Sequence, residues 1–250
     1  MTETKSANHS LAVETLSISA RTHTASQIKS KRLNQHTTMK DPYYFRPEVS
    51  NSDLSWLKQQ LFPRDMPDPT EAYKFGSLID CMITEPERVN YYKRTCNDDQ
   101  FNVKDFTTAE KMKQAFYKDD FCRTMFEKGR VDGQKIMVKP ITLNFKGVEF
   151  TLQARCKWDG WRDDWGWGGD IKSTTAMSQK QFEDAAHHFD YDRQRAFYMD
   201  IAGSNQDILI AVSKVNFQVF KIPIKRGDKF FQSGQDKYRE LAFQYWNLIA

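Results

Sequence analysis

The stretch Gly169-Asp170-Ile171-Lys172-Ser173-Thr174-Thr175 decides how this chain is read. On a β-strand, side chains alternate between faces, so Asp170 and Lys172 project from the same side. A carboxylate and an ammonium two residues apart can share one water and one metal. The acid binds the cation, and the lysine holds the attacking water or helps to deprotonate it. Taken alone, the triplet equally describes an exposed ion pair at a strand end, of little energetic consequence. The other such triplet, Glu3–Lys5, sits in a polar tail. Context has to separate the two readings.

Upstream, Asp159 closes the strand-like stretch Thr151–Asp159, and the hairpin Gly160–Gly169 returns it beside Asp170. Two carboxylates on neighbouring strand ends make a hard-oxygen site suited to Mg²⁺ or Mn²⁺. The plain alternative for Asp159 is the first residue of an Asp-Gly turn. Downstream, Gln194 and Tyr198 stand four apart and share a helix face. Arg193 and Arg195 flank the glutamine, either reaching phosphates or lying on a solvated face. Trp158, Trp161, Trp165 and Trp167 crowd the hairpin. A local mini-core or interface suits them better than stacking on DNA bases.

The rest of the chain supplies an order of elements. Ser52 offers a cap for a short helix with Leu54 and Leu57 inward. A second helix, about 71–84, carries Phe75, Leu78, Ile79 and Met82 on one face. Residues 105–128 read as two helices, the first capped by Thr107 or Thr108 and the second by Asp119. From Lys135 the period changes to that of strands: Lys135–Leu143, Val148–Trp158 and Trp167–Ile171, with turn signals at Lys146-Gly147 and at 166–169. Two helices follow, about 178–189 and 190–202, then strands Asp207–Ser213 and Asn216–Ile224, and a final helix of about 228–248. That order describes an α/β (α+β) fold, a central mixed β-sheet flanked by helices. Residues 1–40 are polar and lack a hydrophobic period, so a disordered tail is expected there, with a short helix near Leu16–Ile28, ahead of a single domain over 41–250.

Composition narrows the chemistry. The 250 residues carry a net charge of +4, which permits a phosphate-binding surface without requiring one. No apolar run approaches the length of about 18 residues that spans a membrane, and the N-terminus has no secretory apolar core, so a cytoplasmic location is expected. Cys81, Cys96, Cys122 and Cys156 form no C-x-x-C pair, and three of the five histidines lie in the tail. Zinc and disulfides are therefore poor candidates, and oxygen-ligated Mg²⁺ or Mn²⁺ is the better one.

Four blocks together resemble the exonuclease VIII (RecE-like) branch of the PD-(D/E)XK nucleases, near the lambda-type exonucleases. They are the 154–160 run ending in Asp159-Gly160, the 169–175 run with Asp170 and Lys172, Phe182, and Tyr191-Asp192-Arg193-Gln194-Arg195-Ala196-Phe197-Tyr198. Upstream, the 75–87 run with Gly76, Asp80 and Glu85-Pro86-Glu87 looks like the family's helix and acidic-proline tag, so the resemblance covers roughly 42–225. It departs from the pattern at Asp80, where many relatives place a metal-ligating histidine. It also lacks a clear counterpart of the glutamate some relatives place on the first core strand, near Gln134 and Lys135.

The resemblance implies a restriction-endonuclease-like core and an Mg²⁺-dependent exonuclease acting on double-stranded DNA ends in phage or bacterial recombination. Asp159, Asp170 and the Ile171 carbonyl would hold the principal ion, with Asp80 supplementary. Lys172 would activate the water, and Gln194 would orient it or the scissile phosphate. Ser173, Thr174, Arg193, Arg195 and Tyr198 would meet DNA, Tyr198 serving packing equally well. It further implies a ring-shaped trimer or tetramer working with a single-strand annealing protein, in a bacterial or phage-infected cell. Three alternatives stay open: a RecB-like or iron–sulfur nuclease of the same fold, which the lack of cysteines after Cys156 opposes; an inactive member that only binds DNA; and an unrelated α+β domain.

Overall fold

The computed structural model describes residues 41–64, 67–97 and 99–249, so the tail and the helix expected near Leu16–Ile28 lie outside the described residues. The centre is a five-stranded sheet built from β4 (Asp132–Phe145), β5 (Val148–Arg162), β6 (Trp167–Thr174), β7 (Gln206–Ser213) and β8 (Val219–Lys225), in that spatial order. Lys146 and Gly147, with φ of 50° and 83°, make the two-residue turn between β4 and β5. Both left-handed positions match the right-handed twist of the flanking strands. β6 and β7 are parallel, and the other pairings are antiparallel. A parallel neighbour requires a crossover, supplied by α5 (Gln179–His188) and α6 (Tyr191–Ala202).

β7 shows how the sheet is buried on both faces. Leu209 and Ala211 point into one apolar cluster, whereas Ile208, Ile210 and Val212 point into the other. Leu54 and Leu57 of α1 (Asn51–Leu61), Phe197 of α6 and Tyr238 of α7 (Lys229–Leu248) fill the first. Leu78, Ile79 and Met82 of α2 (Thr70–Thr84), Met112 and Phe116 of α3 (Val103–Lys118) and Met125 of α4 (Asp120–Met125) fill the second. The result is the expected mixed sheet between helical layers. Among the described residues, no helix is long and apolar enough to cross a membrane.

Several boundaries move. Ser50, not Ser52, caps α1: its hydroxyl takes the Asp53 amide while Asp53 takes the Ser50 amide. Asn102 caps α3 in place of Thr107 or Thr108, which fall inside the helix, whereas Asp119 caps α4 as expected. The last strand begins at Val219 rather than Asn216, because the turn before it consumes the intervening residues. A small sheet of three two-residue strands, β1 (Val89–Asn90), β2 (Thr95–Cys96) and β3 (Asp99–Gln100), was not anticipated, since so short a strand shows no period.

Two close contacts fix the helices on the first face. At Gly234 of α7, a Cβ would stand 2.0 Å from the Asp192 carbonyl oxygen of α6. At the α5–α6 junction, Asp190 adopts left-handed geometry, φ 56°, and pairs with Lys58 of α1 at 2.5 Å and Lys237 of α7 at 3.2 Å.

Candidate active site

The site forms where β5 and β6 part. The two strands pair at Gly160↔Gly169, Trp161↔Gly168 and Arg162↔Trp167, and residues 163–166 make the turn. Beyond Gly160 and Gly169 the ladder stops, and the Asp159 side chain takes over: its Oδ2 accepts the Ile171 N–H at 2.7 Å. Asp159 thus neither ends its strand nor opens an Asp-Gly turn, because β5 runs on to Arg162. The edge of β5 that β6 vacates is filled by Val49, whose N–H donates to the Gln153 carbonyl and whose carbonyl accepts the Arg155 N–H, each at 2.8 Å.

Strand alternation places Asp170 and Lys172 together, as expected. The Lys172 ammonium forms an ion pair with Oδ2 of Asp170 and lies 5.1 Å from the centre of the Tyr191 ring. Oδ1 of Asp170 accepts Nη1 of Arg195 at 2.9 Å. Asp80, on α2, accepts Nε2 of Gln134 at 3.1 and 3.3 Å on its two oxygens, and the Thr84 hydroxyl at 3.3 Å. Gln134 lies on β4 with φ 52°, a conformation that costs a non-glycine residue free energy and draws attention to the site that retains it.

The acids act on one another. Burial, then the charge of Asp170, pushes the Asp80 carboxyl up to about 6. Burial, then Asp170 and Asp80, holds Asp159 well above the usual carboxylate range. For Lys172, burial lowers the pKa, but Asp170 and Asp159 outweigh it and leave the ammonium above the ordinary lysine range. So placed, the Lys172 ammonium can hold a water or a phosphate oxygen by donation.

Among the described residues, no three Cys, His, Asp or Glu side chains close into a metal cluster. The residues nonetheless fit a hard divalent cation in kind. Asp170 Oδ2 is buried with the Lys172 ammonium as its charged partner, and the nearby carboxylates of Asp159 and Asp80 repel it and each other. Three carboxylates and a backbone carbonyl are the hard oxygen donors that a divalent cation takes. Asp159, Asp170 and Asp80 could hold it by side chain and Ile171 by its carbonyl.

The other expected residues fall differently. Gln194 is half-buried on α6 and, among the described residues, its side chain bonds to neither acid. Arg193 is 3% exposed and braces α6 to α1 through Asn51 and Ser55. Arg195 is fully buried between Asp170 and Asp207, and Tyr198 packs against Trp158. These three do not face solvent, so none of them offers a DNA phosphate a surface. The reason is that α6 is enclosed by the sheet on one side and α7 on the other. Ser173 and Thr174 are half-buried at the end of β6, and Thr174 Oγ1 accepts the Ala176 N–H. Trp158 and Trp161 are buried, as the mini-core reading expects. Sequence reasoning passed over Asp207, although a carboxylate opening an otherwise apolar strand signals a buried cationic partner.

A family described as a PDDEXK-like domain of unknown function (DUF3799) matches residues 56–250. Among solved structures, a phage-related exonuclease from Haemophilus somnus 129PT is similar at 11% identity and a TM-score of 0.38, over 80% of this chain and 93% of that one. An alkaline exonuclease from Laribacter hongkongensis is similar at 15% identity and a TM-score of 0.31, over 89% of this chain and 95% of that one. No curated protein matches the chain.

Proposed function

From the premise that the chain belongs to this PDDEXK-like family of unknown function, we propose that it is a metal-dependent deoxyribonuclease that degrades linear double-stranded DNA from its ends. The observation that carries the reading is the convergence of Asp170 and Lys172 on β6 with Asp159 at the parting of the strands. Asp159, Asp170, Asp80 and the Ile171 carbonyl would hold Mg²⁺ or Mn²⁺. Bound there, the ion supplies Lewis acidity toward a phosphoryl oxygen and acidifies a water.

The chain's own groups do the positioning. Lys172, protonated and braced by the Tyr191 ring, donates to the water or to the phosphoryl oxygen as negative charge grows on it. Gln194 orients the same water or the scissile phosphate. Ser173 and Thr174, at the open end of β6, meet the DNA backbone. Assembly into a ring and partnership with a single-strand annealing protein belong to the same proposal and rest on the family resemblance.

End-labelled linear duplex and closed circular DNA, each with Mg²⁺ or EDTA, test the reading beside a Lys172→Ala variant. Metal-dependent loss of the linear DNA alone, abolished by the variant, is expected. Cutting of the circle would retain the nuclease and remove the end dependence. No cleavage under Mg²⁺ or Mn²⁺ would replace the enzyme with a DNA-binding member of the fold.

A further inference from the structure

Arg195 touches no solvent and yet makes two charged contacts. Its Nη1 donates to Oδ1 of Asp170 at 2.9 Å and its Nε to Oδ2 of Asp207 at 2.8 Å, with all three side chains 0–2% exposed. Its guanidinium carbon lies 4.5 Å from the centre of the Trp158 ring and 4.8 Å from that of Tyr198. Two carboxylates and two aromatic faces therefore fix both the position and the plane of the fork.

The consequence falls on Asp170. Oδ1 is held by Arg195, which fixes the plane of the carboxylate and turns Oδ2, buried and ion-paired with the Lys172 ammonium, toward the site. We infer that Arg195 and Asp207 form a positioning pair that locks Asp170 so that it presents a single oxygen, Oδ2, to a divalent cation. This rests on the nuclease reading above and adds to it a residue on a different strand. Asp207 has a distinct part in the pair. It is the second residue of β7, two before Leu209, which pairs with Asp170 on β6, and its charge draws on the same guanidinium. Without it, the full positive charge of Arg195 would fall on Asp170 and oppose a cation there.

A purely structural ion pair makes a different prediction: its loss would alter stability and leave cation affinity where it was. Removing the outer partner of a metal ligand instead weakens metal binding by about 10- to 100-fold. Mn²⁺ binding by titration calorimetry and by electron paramagnetic resonance separates the two, on the full chain, its Arg195→Lys and Asp207→Asn variants and Asp170→Asn. Circular dichroism and urea unfolding of each protein confirm that it is folded. Expected are folded Arg195→Lys and Asp207→Asn proteins that bind Mn²⁺ about 10- to 100-fold more weakly, with no binding by Asp170→Asn. Wild-type affinity in both positioning variants overturns this inference and leaves the nuclease reading standing. Absence of Mn²⁺ binding by the wild type overturns both.

Discussion

Asp159 Oδ2 accepts the Ile171 amide at 2.7 Å, taking the place that a backbone carbonyl would hold had the β5–β6 ladder continued. One oxygen of the acid is thus structural while the carboxylate as a whole belongs to the site. The two roles separate by substitution. Asp159→Asn keeps an acceptor for the amide and loses the charge, so it should unfold in urea close to the wild type and fail to bind Mn²⁺ or degrade linear DNA. Asp159→Ala also leaves the Ile171 N–H without its partner, which costs about 1–3 kcal/mol. Equal stability of the two variants would show that the bond contributes nothing.

Because the acids repel one another, a cation should stabilise the fold. Saturation at about 100 times the dissociation constant adds about 2.7 kcal/mol through binding linkage. Thermal unfolding followed with increasing Mn²⁺ should show a rising midpoint for the wild type, reversed by EDTA. Asp170→Asn should show no rise. A wild-type midpoint indifferent to both additions would count against the assigned ligands.

Gly234 sets two effects against each other. Alanine in a helix interior is favoured over glycine by roughly 1 kcal/mol, yet a Cβ here would stand 2.0 Å from the Asp192 carbonyl oxygen. That oxygen is backbone and cannot rotate away, so α6 and α7 must move apart. Overpacking of this kind costs typically about 1–3 kcal/mol or more, and the clash wins. Gly234→Ala should lower the urea midpoint and, by shifting α6, reduce activity.

Asp190 gives a pH dependence of known sign. Burial raises its pKa, but Lys58, Arg193 and Lys237 outweigh it and hold the carboxyl below the ordinary range. The stabilisation is therefore present above the unfolded value, about 3.9, and is lost as the pH falls through the lower folded value. Asp190→Asn tolerates the same left-handed backbone and removes the charge. It should be less stable than the wild type by about 1–3 kcal/mol at pH 7. Denaturation curves should begin to converge below about pH 4 and meet only once the pH has fallen past the lower folded value.

What could be read beforehand was what is local. The Lys146-Gly147 turn, the Asp119 cap and the alternation that pairs Asp170 with Lys172 each depend on neighbours a few residues away, and each stands in the structure. The fate of Arg195 and Tyr198 was not local. Helical spacing shows that residues share a face; it does not show that α6 is covered on both sides. The partner of Asp80 escaped for the same reason: Gln134 lies 54 residues away and reaches it through an unusual backbone conformation that no pattern announces. Where a fourth acid would stand on β4, the amide of Gln134 donates to Asp80 instead.

Val49 occupies a single rung on the edge of β5 that β6 abandons, satisfying Gln153 and Arg155 by backbone bonds alone. A shortened chain beginning after Ser50 would lose that rung and bare an unpaired strand edge inside the sheet, at 153–155. Open edges recruit other strands. Such a fragment should self-associate in solution even with every acid and Lys172 intact, so the useful limit for trimming this protein is set by one valine upstream of its first α-helix.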